Sequence, residues 1–204
     1  MEVFDVLIIG GGVSGVSCAQ VIGSAVKKPF VTDKKVGIIM HQKSSMLQDA
    51  IFYNAYGIKQ GTLGKDLLEQ SIEDLNYYNH IDQITGEKVI SVQKRDGVFE
   101  VKTNKEVYYT SLVVVAINSS PTFEVEGLME YVIPHKKSLV AKNRIQLRNE
   151  DHLVTEGVYV AGTLAGHRSQ LAIAAGSGAA VATDILTLRH GGIETHSHDS
   201  TRVK

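Results

Sequence analysis

The sequence predicts an α/β fold with a central parallel sheet and a three-stranded antiparallel β-meander. Three observations predict it: short apolar runs that end in glycine, helical segments between those runs, and a stretch of strands with polar turns in mid-chain. Of the 204 residues, 43% are hydrophobic and three are proline, which leaves enough apolar side chains for a sizeable core. We expect one domain over residues 1–190 and a polar tail over 191–204.

The chain opens with a predicted strand, helix and second strand. Residues 4–9 form a short apolar run that stops at three glycines, which is typical of a strand buried on both faces of a parallel sheet. Residues 13 to about 26 are small and apolar and predict a helix, and residues 36–40 predict a second buried strand. Two parallel strands joined by a helix make a β-α-β unit, which is expected to be right-handed.

The middle of the chain predicts one helix and the meander. Helical periodicity from 64 to about 79 places apolar side chains on one face. Three short runs follow at 89–92, 98–101 and 107–109, and polar turns separate them. Consecutive strands joined by such turns form an antiparallel meander.

The second half predicts two more buried strands and a final helix. Residues 112–117 are continuously apolar, and residues 157–162 repeat the pattern of a strand followed by glycine. A helix of small residues is expected from about 170 to 188. Residues 120–155 show no clear periodicity, and the polar chain from His190 onward is expected to fray.

Charge and cysteine content exclude several classes of protein. Lys plus Arg number 21 and Asp plus Glu 22, so a formal net charge of −1 gives no electrostatic case for nucleic acid or an anionic membrane. Cys18 is the one cysteine, which excludes an intramolecular disulfide, a four-cysteine zinc site and a CxxC redox pair. The N-terminus does not resemble a signal peptide, and no apolar stretch approaches the ~18–20 residues of a membrane span. We expect a soluble, cytoplasmic protein.

The turn after the first strand reads Gly10-Gly11-Gly12-Val13-Ser14-Gly15, a G-x-G-x-x-G pattern between a predicted strand and a predicted helix. Its first glycine permits the tight turn, its second lets backbone approach a pyrophosphate, and its third lets the helix pack closely on the strand. The helix N-terminus adds free N–H groups and the positive end of its dipole. The turn predicts a dinucleotide site; the alternative is a glycine-rich turn without a ligand.

Dinucleotide-binding folds usually carry an acid at the end of the second strand, where it holds a ribose diol. Here that strand ends in Met40-His41-Gln42, without an acid. The side chains of His41 and Gln42 carry donors and acceptors that suit a ribose hydroxyl. The alternative for His41 is a surface histidine that follows a strand.

One family combines such a turn, a meander, a buried strand and a late Val158-Tyr159-Val160-Ala161-Gly162 before a small-residue helix. The chain resembles the FAD-binding domain of the thioredoxin reductase-like flavoproteins over roughly residues 3–188. It is similar in particular to short members that lack the inserted nicotinamide-binding domain. The resemblance implies a Rossmann-like FAD-binding domain in which Gly10, Gly12, Val13, Ser14 and Gly15 form the pyrophosphate loop.

The resemblance also implies where other parts of FAD are held. Asn54 matches a segment near the flavin ring, and Val89 falls where a strand pairs its backbone with adenine. Ala116 begins an Ala-Ile-Asn segment that replaces the family's Ala-Thr-Gly motif.

Near the flavin, Gly162 and Thr163 replace the family's Gly-Asp pair, whose carboxylate holds the ribityl chain. Gln170 and Leu171 lie in the segment that opens the last helix. The N-terminus of that helix faces the pyrimidine end of the flavin, where it stabilises the negative charge of the reduced ring. Small side chains in this helix let backbone approach the ring; the alternative is a closely packed helix without a ligand.

Three departures from the family pattern bear on function: the ribose acid is absent, Thr163 replaces an acid, and no redox cysteine pair exists. The last departure excludes thioredoxin reduction by dithiol chemistry. Cys18 is expected to be a small buried residue of the first helix. No catalytic residue is assigned.

The main hypothesis is an FAD-dependent oxidoreductase or electron carrier that acts on an unidentified small substrate or redox partner, with external NAD(P)H as one source of electrons. One alternative is a non-catalytic dinucleotide-binding module, such as a sensor or assembly subunit. Another is NAD in the glycine-rich turn. A homodimer is left open.

Several histidines and tyrosines admit two interpretations each. His167 and Arg168 lie at the flavin edge in the family pattern, or in a solvated loop. Tyr53 and Tyr56 either stack beside the ring or pack in the core, and the core is the stronger expectation. No metal site is predicted, because the candidate ligands lie in the polar tail without a rigid shell; these are His190, His196, His198 and Asp199.

Overall fold

The computed structural model describes residues 2–41 and 47–197. The helices within them are α1 (Val13–Ser24), α2 (Gly64–Asp74) and α3 (Leu171–Arg189). The strands are β1 (Val3–Phe4), β2 (Val6–Ile9), β3 (Val36–Met40), β4 (Ile51–Phe52), β5 (Thr62–Leu63), β6 (Ile81–Thr85), β7 (Val89–Arg95), β8 (Val98–Thr103), β9 (Val107–Thr110), β10 (Val113–Val115), β11 (Val132–Pro134), β12 (Ile145–Leu147), β13 (Leu153–Thr155) and β14 (Val158–Val160).

A six-stranded sheet in the order β13-β14-β10-β2-β3-β6 forms the centre of the fold. Its pairs are parallel from β14 to β6, and β13 adds an antiparallel edge. This confirms the predicted parallel sheet and its four buried strands. Strand β6 is not among the predicted strands, because this edge strand reads Ile-Asp-Gln-Ile-Thr and lacks a continuous apolar run.

The predicted meander is confirmed as β7, β8 and β9, which pair antiparallel. The expectation of one strand over residues 4–9 is wrong, because β1 pairs with β9 of the meander while β2 joins the central sheet. The division falls at Asp5, whose carboxylate accepts a hydrogen bond from the Lys35 backbone N–H at 3.0 Å and pairs with Lys34 Nζ at 3.3 Å. These polar contacts fix the point at which the chain passes from one sheet to the other.

The central sheet lies between a helical layer and the meander. In β2, Val6 and Ile8 belong to the apolar cluster formed with α1 and α3, whereas Leu7 and Ile9 belong to the cluster formed with the meander. Side chains alternate between the faces of a strand, so both faces of β2 are buried. This explains the continuous apolar runs of the central strands.

Helix α3 packs along α1. The Ser17 hydroxyl donates a hydrogen bond to the carbonyl of Ala175 at 2.8 Å, and Val181 and Ile185 are buried in the core. With 19 residues and a mean hydropathy of 1.6, α3 is also long and apolar enough to cross a membrane. The expectation that no stretch approaches that length is therefore wrong, although one such helix is weak evidence for a span.

Three other segments differ from expectation. Residues 120–155, which showed no periodicity, contain the antiparallel pair β11 and β12. The chain does not fray directly after α3, because the His190 ring stacks on Phe30 with centroids 4.3 Å apart. Thr195 is buried, and its backbone N–H donates to Thr187 Oγ1 at 3.0 Å. Helix α2 is shorter than predicted and continues as a 3₁₀ turn over Leu75–Tyr77.

Candidate functional site

A pocket of about 420 Å³ opens at the carboxyl ends of the central parallel strands. Loops from neighbouring strands converge at this edge, which is where α/β sheets bind ligands. The turn after β2, the end of β3 and the segments after β10 and β14 all contribute. The lining residues are Gly10, Gly11, Gly12, Val13, Ser14, His41, Leu47, Ala50, Ile51, Phe52, Asn54, Leu68, Ala116, Ile117, Asn118, Gly162, Thr163, Ser169, Gln170, Leu171 and Ala174.

The three glycines of the pattern occupy different environments. Gly10 has a φ of 120°, and a Cβ there would overlap the Ala116 carbonyl. A Cβ on Gly15 would overlap the Gly10 carbonyl, so this glycine lets α1 pack closely on the turn. At Gly12 nothing lies within 4 Å of the Cβ position. The glycine-rich turn therefore leaves open space at Gly12, which lines the pocket.

Two helices begin at the pocket without a side-chain cap. The N-cap of α1 is Gly12 and that of α3 is Gln170; both residues line the pocket. Neither helix has an acid in its first turn. The first N–H groups of a helix lack intrahelical partners and carry the positive end of its dipole. The pocket therefore presents two positive helix ends and suits a ligand with negative charge in two places.

The opposite wall is apolar. Four apolar side chains line this part of the pocket, together with the polar side chain of Asn54: Leu47, Ile51 and Phe52 of β4, and Leu68 of α2. Leu47 belongs to the turn that precedes β4. A largely apolar cleft with a few polar groups is the usual form of a cofactor site. The apolar wall offers a surface for a flat ring of the ligand. The two helix ends offer positions for the negatively charged groups of the same ligand.

Most of the predicted cofactor residues meet in this pocket. The lining includes Gly10, Gly12, Val13, Ser14, His41, Asn54, Ala116, Gly162, Thr163, Gln170 and Leu171. Gly15 lies directly behind it, against Gly10. Val89 begins β7 and is buried in the meander cluster, outside the lining. Gln42 falls outside the described residues. The role of each in binding a cofactor stays a prediction.

A polar network that the sequence does not predict lies behind the turn after β14. The Gly162 N–H donates to Ser177 Oγ at 2.8 Å, and this hydroxyl lies 3.1 Å from His152 Nε2. His152 Nε2 lies 3.0 Å from His167 Nε2. The pocket turn is thus tied to two imidazoles by hydrogen bonds. No sequence signal joins these residues, because His152 lies in the segment without periodicity and Ser177 lies within a helix of small residues.

Burial is the main cause that lowers the pKa of His152 and of His167 below the usual 6.5. Nearby positive charge adds to the effect at His167, from His152, Lys137 and His135. Burial also lowers the pKa of His80. In the folded protein these three imidazoles are therefore held neutral to a lower pH than in the unfolded chain.

We expect the free energy of unfolding to fall as the pH drops below about 6.5, because the unfolded chain then binds protons that the folded protein does not. The contribution of these imidazoles to stability is complete above that pH. It is lost progressively as the pH falls from about 6.5 to their lower pKa values in the folded protein. Urea midpoints at pH 7.5 and 5.5 measure the effect. The double variant His152→Asn/His167→Gln should show a smaller fall. An equal fall in both proteins would contradict this assignment.

The other candidates are resolved by their exposure. Tyr53 and Tyr56 are 67% and 100% exposed, so the expectation that they pack in the core is wrong. His167 is half-buried and Arg168 exposed, and both precede the pocket-lining Ser169. Cys18 is buried as expected, and burial raises the pKa of its thiol to about 12. Its thiol does not line the pocket.

Residues 2–41 and 47–197 contain no group of three or more His, Cys, Asp or Glu side chains that could hold a metal ion. His190 instead contacts Thr195 through its Nδ1 atom at 2.8 Å. Of the other three residues considered for a metal, His196 lies within the described residues, whereas His198 and Asp199 fall outside them.

Comparison with known proteins gives one family. Residues 4–171 match the family described as pyridine nucleotide-disulphide oxidoreductase. A curated relative, "Ferredoxin--NADP reductase 1" of Oceanobacillus iheyensis, is 24% identical over 157 residues, which are 76% of this chain and 41% of the relative. The chain thus spans about two fifths of the length of that relative.

Solved structures confirm the predicted fold. A ferredoxin-flavin thioredoxin reductase from Clostridium acetobutylicum superposes with a TM-score of 0.69 at 18% identity, over 94% of this chain and 99% of that one. A thioredoxin reductase from Gloeobacter violaceus gives a TM-score of 0.69 at 14% identity, over 99% of this chain and 100% of that one.

Proposed function

The chain belongs to the pyridine nucleotide-disulphide oxidoreductase family, and from that premise we propose that it is an FAD-dependent oxidoreductase or electron carrier without a dithiol active site. The observation that carries the proposal is the convergence of two uncapped helix N-termini on one pocket beside the open space at Gly12. FAD is a dinucleotide with a pyrophosphate and a ring that becomes negatively charged on reduction, so it needs positive potential at two positions.

The residues present fit FAD with its pyrophosphate at the start of α1 and its flavin ring towards the start of α3. Backbone N–H groups of Val13 and Ser14 would hold the pyrophosphate, since the free space at Gly12 lets it approach the start of α1. His41 directly follows β3 and lines the pocket, and its imidazole would offer hydrogen-bonding atoms to a ribose hydroxyl in place of the usual acid. The apolar wall would exclude water from one face of the ring. Bound FAD would supply the two-electron chemistry that these side chains do not.

At the other end of the pocket, the turn at Gly162 and Thr163 and the start of α3 at Gln170 would hold the ribityl chain and the pyrimidine edge. The Ser177 hydroxyl accepts a hydrogen bond from the Gly162 N–H at 2.8 Å and so fixes this turn. The helix end would stabilise negative charge on the ring. These residues bind and orient, and no proton donor among them is assigned.

Dithiol exchange is outside the proposal for these 204 residues. Cys18 is the one cysteine of the sequence, its side chain is buried, and burial raises the pKa of its thiol to about 12. A thiolate is the reactive form in disulfide exchange, and this thiol is almost entirely protonated at neutral pH. Electrons would therefore enter from NAD(P)H or a reduced partner and leave to another acceptor. The names of the relatives, which include ferredoxin, NADP and thioredoxin, suggest which carriers to test.

A non-catalytic dinucleotide-binding module is the second candidate. Among the described residues that line the pocket, none is Asp or Glu. A ribose diol is usually held by a carboxylate, so its absence favours weaker retention of the dinucleotide. Such a protein would bind FAD reversibly without taking part in its reduction.

The test is an absorbance spectrum after incubation with FAD, followed by anaerobic addition of NADH or NADPH. Protein-bound flavin bands that bleach support an oxidoreductase, and bands that bleach only with dithionite support a carrier fed by a partner. Absence of bound flavin after incubation overturns the proposal. A thermal shift with NAD alone would then favour NAD in the glycine-rich turn.

A further inference from the structure

A basic loop joins β11 to β12 beside the pocket. It spans residues 135–144 and carries Lys136, Lys137, Lys142 and Arg144 but no Asp or Glu. The whole chain has a formal net charge of −1, so this positive charge is local. Concentrated positive charge on a nearly neutral protein attracts a negatively charged partner and orients it during encounter.

The lysines of the basic loop are available to a partner. Lys136, Lys137 and Lys142 are exposed, and none of them forms an ion pair within residues 2–41 and 47–197. Between them lie Leu139 and Val140, which are 70% and 91% exposed. An apolar centre within a charged rim is the usual composition of a protein–protein contact.

The basic loop is attached to the edge of the pocket at both ends. Arg168 Nη1 donates to the Lys137 carbonyl at 3.2 Å, and the next two residues along from Arg168 line the pocket. The Ile145 N–H donates to the Ser119 carbonyl at 3.2 Å, and Asn118 beside it lines the pocket. Arg168 is itself exposed. The basic loop and Arg168 therefore form one positive surface at the pocket's edge.

We propose that the basic loop and Arg168 form the docking surface for an acidic partner protein that approaches the pocket. That this partner exchanges electrons at the pocket rests on the proposed function. None of these cations lines the pocket, so they are not placed to hold its ligand. A small anion would need donors that converge on a point, whereas these side chains project over an exposed loop with apolar residues between them. The net charge of −1 argues against a long polyanion such as nucleic acid.

The experiment measures binding of a purified acidic ferredoxin to the full chain by calorimetry, in 20 and 300 mM NaCl. We expect the higher salt to weaken binding roughly 10-fold or more, because the Debye length falls from roughly 20 Å at 20 mM to about 6 Å at 300 mM. The variant Lys136→Glu/Lys137→Glu/Lys142→Glu should weaken it by about 30-fold or more at low salt. The matched control is Lys88→Glu/Lys102→Glu/Lys105→Glu, which makes the same charge change at exposed positions of the meander and should alter binding less than about 3-fold.

Equal losses in the two triple variants, or no binding by the unaltered chain, would overturn the docking surface. The docking surface would also be overturned if the variant Lys136→Glu/Lys137→Glu/Lys142→Glu still bound ferredoxin but no longer bound DNA or vesicles of anionic lipid. Flavin absorbance separates this proposal from the proposed function. Loop-dependent ferredoxin binding by a chain that never takes up FAD would keep the docking surface and reject the flavin. If the chain binds flavin but binds ferredoxin equally well with and without the loop lysines, the proposed function is kept and the docking surface is rejected.

Discussion

Replacing Gly12 by aspartate is expected to weaken FAD binding strongly while leaving the fold at least as stable as before. Gly12 is the N-cap of α1, with φ −83° and ψ −176°, and no side chain caps the helix now. Aspartate is a favoured N-cap residue, and replacing glycine with it adds a few tenths of a kcal/mol, with about 0.3–1 kcal/mol from the helix dipole. A Cβ at this position meets nothing within 4 Å.

The loss of FAD follows from the same position. The aspartate carboxylate would accept hydrogen bonds from the N–H groups proposed to hold the pyrophosphate. Its negative charge would also repel the pyrophosphate. Two like charges ~4 Å apart cost about 4 kcal/mol at an effective dielectric of 20, so we expect affinity to fall at least ~100-fold. Flavin fluorescence titration measures the affinity, and a thermal melt without FAD measures the fold.

Gly12→Asn is the matched control, because asparagine has nearly the same size and also caps helices but carries no charge. It should lose distinctly less affinity than Gly12→Asp. Undiminished FAD binding by Gly12→Asp would place the pyrophosphate elsewhere. A large loss of melting temperature without FAD would show that the position is structural.

Replacing Gly178 by alanine is expected to destabilise the protein severely. A Cβ on Gly178 would overlap the Ser14 carbonyl and lie 3.1 Å from the Cys18 backbone nitrogen, where α3 contacts α1. Backbone atoms cannot move aside as a flexible side chain can, so the helices must separate. We expect a cost of about 3 kcal/mol or more, which lowers the melting temperature by roughly 6–12 °C in a domain of this size.

Gly176 supplies the control from the same helix. Nothing lies within 4 Å of its Cβ position, and it is exposed. Gly176→Ala should therefore stabilise the protein by about 0.5–1 kcal/mol, through the higher helix propensity of alanine. Thermal melts of the two variants decide the matter: similar changes in both would mean that α1 and α3 do not approach closely at Gly178.

The small residues of α3 illustrate how one pattern can serve two purposes. The sequence left two interpretations open: close approach to a ring, or close packing without a ligand. The structure divides them along the helix, since Ala174 lines the pocket whereas Gly178 packs on α1. Composition alone could not separate these positions, because both requirements favour a side chain with little or no bulk.

The sequence by itself determined the elements whose residues are neighbours in the chain. The glycine-rich turn, the buried strands β2, β3, β10 and β14 and the meander all follow from local periodicity and backbone freedom. Buried strands read as apolar runs because both of their faces are covered, and the turn needs glycine because backbone atoms pass close by.

Only the tertiary structure decided how distant segments meet. It brought Ser177 and His152 together behind Gly162, placed the basic loop beside Arg168, and exposed Tyr53. Such contacts depend on the order and register of strands that are far apart in the chain, and hydrophobic periodicity carries no information about which partner a face will find. The physical reason is that burial is set by the whole assembly of layers, whereas periodicity records only the faces of one element.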